Sequence, residues 1–159
     1  MAEYVVEVSW ERCEAVFVDN RYSRAHSWHF DGGVTVPASS STHVVPAPYS
    51  EAANVDPEEA FVAALASCHM LTFLSIAATR GFVVDSYADH AAGVLARNEA
   101  GRLCMTSVTL HPHARFAGAL LPSDTEVRAM HHEAHEGCFI ANSVTSVVEA
   151  EPTWEAAGK

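Results

Sequence analysis

Two cysteines of this 159-residue chain sit where a thiol pair could do redox chemistry. Cys68 lies inside the run from Ala60 to Thr79, twenty residues without an Asp, Glu, Lys or Arg. Cys138 follows His135-Glu136-Gly137 directly. A thiolate can attack an electrophilic oxygen and become a sulfenic acid, and a second thiol in reach can condense with that acid to a disulfide. Burial in alkane opposes the first step by raising a thiol's pKa from its ordinary value near 8.5, so a reactive Cys68 needs a cation beside it. Two further cysteines, Cys13 and Cys104, lie in strand-like runs with no evident partner and are expected to be small core residues. A rival chemistry is zinc binding by His131, His135 and Cys138, spaced i, i+4 and i+7. These three share a face only if the helix continues through Cys138, which Gly137 argues against, and the sequence offers no evident fourth ligand.

The elements that must position these groups follow from local signals. Tyr4 to Trp10 alternates like a half-buried strand, and Trp28-His29-Phe30 with Val34-Thr35-Val36 flank the turn residues Asp31-Gly32-Gly33. Asp56-Pro57-Glu58-Glu59 supplies an N-cap, a first-turn proline and the acid of a capping box, so a helix starts there. It should run to Arg80, stop at Gly81 and extend about 24 residues, or about 36 Å. Almost every face of it is apolar, which demands cover on all sides, and a partner subunit is the natural second cover. Phe61, Leu65 and Leu71 are candidate walls of an apolar pocket along it. Val83 to Arg97 and Arg102 to Phe116 read as two long strands joined at Asn98-Glu99-Ala100-Gly101. Ser123-Asp124-Thr125-Glu126 opens a second helix, with Gly137 as its stop, and Ser143 to Glu151 reads as a last strand ending at Pro152. The expectation is an α+β chain of one domain, residues 1–159.

Composition narrows the function classes. With 49% hydrophobic and 18% charged residues the chain is expected to fold as an ordinary globular protein. Twenty acidic against nine basic residues give a net charge of -11, which disfavours nucleic acid and anionic lipid as partners. The ten histidines would offset much of that charge below about pH 6.5. The N-terminal residues lack the pattern of a secretory signal, so a cytoplasmic protein with free thiols is expected. Ala60 to Thr79 meets the length rule for a membrane span, but Ser67, His69, Thr72 and Ser75 interrupt it and a core helix fits better.

The run Asp56-Pro57-Glu58-Glu59-Ala60-Phe61-Val62-Ala63-Ala64-Leu65-Ala66-Ser67-Cys68-His69 resembles the central-helix signature of the OsmC/Ohr superfamily. Ala134-His135-Glu136-Gly137-Cys138 resembles its second-cysteine motif, with the same order of elements between. The resemblance implies an OsmC-like fold: N-terminal antiparallel strands, a long buried central helix, a β-hairpin, a second helix and a final strand, in an intertwined homodimer with shared sites. It further implies a cysteine peroxidase acting on organic hydroperoxides, possible also for hydrogen peroxide, with Cys68 as the peroxidatic thiol and Cys138 resolving it. Glu58 and an arginine would tune the site; the arginine is Arg24 in Tyr22-Ser23-Arg24-Ala25-His26, with Arg21 as second choice. No bound cofactor is implied, only an external thiol reductant such as a lipoyl-type dithiol protein.

Glu58 and Cys68 stand ten residues apart on one helix, about 15 Å in rise, so they cannot meet within one chain. Antiparallel packing of two central helices would bring Glu58 of one toward Cys68 of the other. The chain also departs from the pattern. After Cys138 it reads Phe139-Ile140-Ala141-Asn142-Ser143 where the hydroperoxide-resistance branch has Pro-Tyr-Ser, and the residues around Arg24 lack that branch's glycines. It resembles a general OsmC-like member. A dimeric small-ligand-binding module without turnover is the alternative function, and zinc binding the second alternative.

Overall fold

A computed structural model describes residues 1–157. The chain forms two compact units, one from Met1 to Ala60 and one from Phe61 onward.

The first unit is built on an antiparallel sheet of three strands, β1 (Val6–Ser9), β2 (His26–Phe30) and β3 (Thr35–Ala38), in the order β1-β2-β3. The turn between β2 and β3 falls on Asp31-Gly32-Gly33, closed by Gly33 N–H donating to Phe30 O at 2.9 Å. Buried Ser39 ties the return loop down: its N–H donates to Val55 O at 3.0 Å and its Oγ accepts from Glu51 N at 3.0 Å.

Helix α1 (Pro57–Thr79) starts and stops as its sequence demands. Glu59 N–H donates to Asp56 Oδ1 at 2.7 Å and Asp56 N–H donates to Glu59 Oε2 at 3.2 Å, a reciprocal cap. At the other end Gly81 takes φ +80°, and Phe82 N–H bonds Ala77 O while Gly81 N–H bonds Ala78 O. That paired closure satisfies two orphan carbonyls and requires a residue that tolerates the left-handed region. The expected all-round burial is not found within one chain. Leu65, His69, Phe73 and Ala77, four residues apart, are buried, whereas Ala63, Ala64, Ser67, Leu71, Ser75 and Ala78 are exposed. α1 is long and apolar enough to cross a bilayer by length and composition, but its buried stripe carries a histidine and packs against sheet and helix.

In the second unit the two long strands expected from the sequence are each broken in two. Val83–Asp89 (β4) and Ala92–Arg97 (β5) make up the first run, and Leu103–Leu110 (β6) and Pro112–Ala117 (β7) the second. β5 pairs with β6 and β4 with β7, all antiparallel, but the two pairs belong to different sheets. The break lies at His111: its N–H leaves the ladder and donates to Asp89 Oδ1 at 2.8 Å, and Pro112 has no N–H to give. The last strand is likewise divided. A 3-10 turn occupies Ala141–Ser143, β8 is only Val147–Ala150, and beyond Pro152 a further strand, β9 (Thr153–Ala156), appears that the sequence reading did not include. β8 pairs parallel to β6 and β9 parallel to β7, giving sheets β5-β6-β8 and β4-β7-β9.

Between them α2 (Asp124–Gly137) opens on Ser123 with a full capping box to Glu126. Its buried residues Val127, Met130 and Ala134 join Phe73, Ala77, Phe82, Ala114 and Phe116 in one core cluster, and its fourth buried residue, His131, lies on Phe73. Leu65, Val108 and Leu110 form a second, with Phe61 and Val62 packed against it. Phe61 and Leu65 are therefore core, and Leu71 is 61% exposed; the three do not line a common pocket. Arg80 and Glu133 add a surface ion pair at 2.5 Å.

Candidate functional site

α1 carries Cys68 and α2 ends at Cys138, and the second unit brings the two thiols together. Cys138 is the C-cap of α2 in extended conformation and is buried, while Cys68 is half-buried; neither is in a disulfide. Burial pushes the Cys138 thiol pKa upward, and the neighbouring Cys68 thiol raises it further. The Ala141 N–H, 3.4 Å from Cys138 Sγ, works in the opposite sense and favours the thiolate. This amide is available because the chain turns sharply through Ala141–Ser143 just after the cysteine.

Gly137, expected as the stop of α2, is the helix's last residue, and its role is close approach: a Cβ there would lie 3.2 Å from Thr72 Cγ2 of α1. Gly137→Ala should therefore push the end of α2 outward by a few tenths of an ångström and slow formation of the Cys68–Cys138 disulfide several-fold, to roughly a fifth. Thr72→Ser in the same chain removes the clashing methyl and should restore the rate, measured by intact mass after addition of an oxidant. An unchanged rate in Gly137→Ala would show that the contact has no part in thiol spacing.

The histidines beside the thiols are arranged otherwise than a zinc site requires. His131 Nδ1 meets His69 Nε2 at 2.9 Å, both rings are buried, and His131 lies flat on Phe73 with centroids 4.1 Å apart. Among the described residues no group of three or more His, Cys, Asp or Glu side chains is placed to hold a metal ion. The helix ends at Gly137 with Cys138 extended, so His131, His135 and Cys138 do not share a helical face, and the His131 ring turns toward α1 to meet His69. Burial lowers both imidazoles from 6.5, His69 to about 4 with help from His135, and His131 to about 3 with help from His69. Each is held neutral. The sequence did carry one sign of this, since His69 falls on the four-residue stripe with Leu65, Phe73 and Ala77; nothing local marked His131 as its partner.

The first unit holds the remaining predicted residues. Arg24 and Glu58 line one cavity of about 460 Å³, walled by Val8, Trp10, Phe17 and Tyr22. Arg21 is exposed and does not reach it. The Arg24 guanidinium is not paired with Glu58. It lies 3.8 Å over the Tyr22 ring and donates to Tyr22 O, to Asn20 O at 3.0 Å and to Asn20 Oδ1 at 2.7 Å. Asn20 can present both oxygens because it takes φ +62° at the end of the turn Phe17–Asp19. Glu58 Oε2 is buried with no hydrogen-bond partner among the described residues. Cys13, expected in a core strand, is exposed in a turn with φ +52°, and Cys104 is half-buried on β6.

The α+β order of strands, long helix, hairpin, second helix and closing strands, with one cysteine inside the long helix and one at the end of the second, defines a family. The model for OsmC-like proteins matches residues 50–152, and the chain belongs to the OsmC-like family. It is 53% identical to an OsmC-like protein of unknown function from Vibrio cholerae, with a TM-score of 0.94 over 96% of this chain and 100% of that one. Two more distant structures share the fold. An organic hydroperoxide resistance protein OsmC from Legionella pneumophila matches at 14% identity and TM-score 0.65, covering 98% of each chain. The organic hydroperoxide resistance protein OhrB of Bacillus subtilis matches at 19% and 0.61, covering 96% of this chain and 98% of that one. No match was found among curated proteins.

Proposed function

We propose that this protein is a thiol-dependent peroxidase of organic hydroperoxides, and the observation that carries the reading is the pair of free thiols Cys68 and Cys138, close enough that Cys68 acts on the Cys138 pKa. The Cys68 thiolate attacks the distal oxygen of the hydroperoxide. The O–O bond breaks, the leaving alkoxide takes a proton to become the alcohol, and Cys68 becomes a sulfenic acid. Cys138 attacks that sulfur; the S–O bond breaks, water leaves, and a disulfide remains. An external dithiol, for which a lipoyl-type protein is our candidate, then reduces the disulfide and is itself oxidised.

In this reading a homodimer completes the site. Arg24 and Glu58 of one chain stand at the Cys68 of the other, Arg24 stabilising the thiolate and Glu58 orienting the arginine. Glu58 Oε2 has no donor among the described residues, and an arginine released from Asn20 would be one. The apolar wall of Val8, Trp10, Phe17 and Tyr22 suits an organic substituent better than hydrogen peroxide.

The test is thiol accounting by intact mass after one equivalent of an alkyl hydroperoxide. Wild type should lose two hydrogens, Cys138→Ser should retain a sulfenic acid, and Cys68→Ser should remain unmodified at Cys138. If neither thiol of the wild type is oxidised, the peroxidase reading fails and a ligand-binding module using the aromatic cavity takes its place.

A further inference from the structure

The core between the two helices contains a feature the thiol chemistry does not itself call for. His69 and His131 are 1% and 3% exposed, and they face each other edge to edge, with rings 7° from coplanar and Nε2 to Nδ1 at 2.9 Å. Two neutral imidazoles joined this way leave one outer nitrogen as an unused donor and the other as an unused acceptor, whichever ring donates. Both outer atoms, His69 Nδ1 and His131 Nε2, are indeed buried without a partner among the described residues. Leaving two polar atoms unsatisfied in a core costs stability, and apolar residues would have filled the space without that cost. What the hydrogen bond gives in return is direction, because an N–H···N bond fixes the distance and orientation of the elements that carry it.

Those elements are the two that carry the thiols. His69 is the neighbour of Cys68 on α1, and His131 lies seven residues, two helical turns, before Cys138 on α2. His131 also lies flat on Phe73, one turn along α1 from His69, so α2 is held to α1 at two successive turns. The next contact along α2 is Gly137 against Thr72, and then come the cysteines. The thiols are thus at the end of a lever whose fulcrum is the histidine pair.

We propose that His69 and His131 are positioning residues for the disulfide step: their hydrogen bond fixes α2 against α1 so that Cys138 stands within reach of an oxidised Cys68. This rests on the peroxidase reading for its biological meaning, but the spacing can be tested without any peroxide. Dithionitrobenzoate forms a mixed disulfide on Cys68 and releases one nitrothiobenzoate. Cys138 thiolate then attacks the Cys68 sulfur, the mixed disulfide breaks, and a second nitrothiobenzoate leaves. The first release reports access to Cys68, the second only the reach of Cys138. Cys13→Ser and Cys104→Ser remove the other thiols.

In that background His131→Phe keeps the ring on Phe73 and deletes the hydrogen bond. Its second release should slow by roughly tenfold or more, since about 1 Å of misplacement in a reacting pair costs up to ~100-fold, with the first release unchanged. His131→Asn places a hydrogen-bonding atom at the position of Nδ1 and should recover most of the rate. His69→Leu and His69→Gln repeat the comparison from the α1 side, should His131→Phe fail to fold by circular dichroism. Equal second releases in the disruptive and conservative variants, or both phases slowing together, would overturn the proposal. If the wild type runs both phases with dithionitrobenzoate yet neither thiol is oxidised by an alkyl hydroperoxide, the positioning role stands and the peroxidase reading falls.

Discussion

Between pH 7 and about pH 5 the folded protein is expected to lose about 4 kcal/mol of stability to its two buried histidines, since each imidazole costs ~1.4 kcal/mol per pH unit below its unfolded value. Both pKa values are lowered on folding, from 6.5 to about 4 for His69 and about 3 for His131. In the window between, the unfolded chain binds two protons that the folded chain refuses, so stability is complete above about pH 6.5 and falls as pH drops toward 4. Other groups act in the opposite sense. Asp89, on β4 with Tyr87 near the pair, has its carboxyl raised by burial and gains from acid. The surface contacts His111–Glu151, His113–Glu155 and His132–Glu136 strengthen when their histidines are charged, and protonation relieves a net charge of -11. These contacts are at least 42% exposed on both sides and screened, so each is worth little. The buried pair decides the sign. Urea midpoints at fixed protein concentration, under reducing conditions, should fall steeply between pH 6.5 and 5, and His131→Asn should halve the slope. A flat midpoint across that range would show that the two rings accept protons in the folded state.

How far the sequence could be read depended on the range of the interaction that decides each feature. Both helix starts were legible because a capping box is closed within four residues, Asp56 with Glu59 and Ser123 with Glu126. The Gly81 stop was legible for the same reason. The sheet switch at His111 was not, because it depends on Asp89, twenty-two residues away, taking an amide out of the ladder. β9 was hidden behind Pro152: a proline ends one ladder but says nothing about a second strand joining β7 beyond it. Gly137 was read as a stop by its type alone, when its partner Thr72 lies on another helix. His131 was the least legible residue of all, since on a short helix with four charged or histidine neighbours it looks like surface. The family signature pointed to Cys68, Cys138, Arg24 and Glu58 as residues, but it gave neither the cavity that Arg24 and Glu58 line nor the hydrogen bonds that tie Arg24 to Asn20 and Tyr22.

The open face of α1 leads to the second large effect. Ala63, Ala64, Ser67, Leu71, Ser75 and Ala78 form a ridge of small, uncharged side chains around one leucine that is 61% exposed. Small residues at this spacing allow two helix backbones to approach closely, and a lone leucine of that exposure on such a ridge has most of its area left to bury against a copy of itself. Glu58 opens α1 and Cys68 lies ten residues on, about 15 Å along the axis, so an antiparallel pairing through this ridge is also what a shared site requires. If the proposed homodimer forms through this ridge, Leu71→Asp should give a monomer in sedimentation equilibrium where the wild type is a dimer, because two carboxylates would be forced together at the centre of the contact, a change costing at least several kcal/mol. The thiols of that monomer would remain next to each other, since His69, His131, Phe73 and Gly137 all lie within one chain. Its disulfide should still form with a small aromatic disulfide reagent, whereas its reaction with an alkyl hydroperoxide should fall by about two orders of magnitude for want of the partner's arginine. That division separates the two halves of the reading. A Leu71→Asp protein that stays dimeric would place the interface elsewhere, and a monomer that still reduces hydroperoxides at the wild-type rate would mean that Cys68 needs nothing from a second chain.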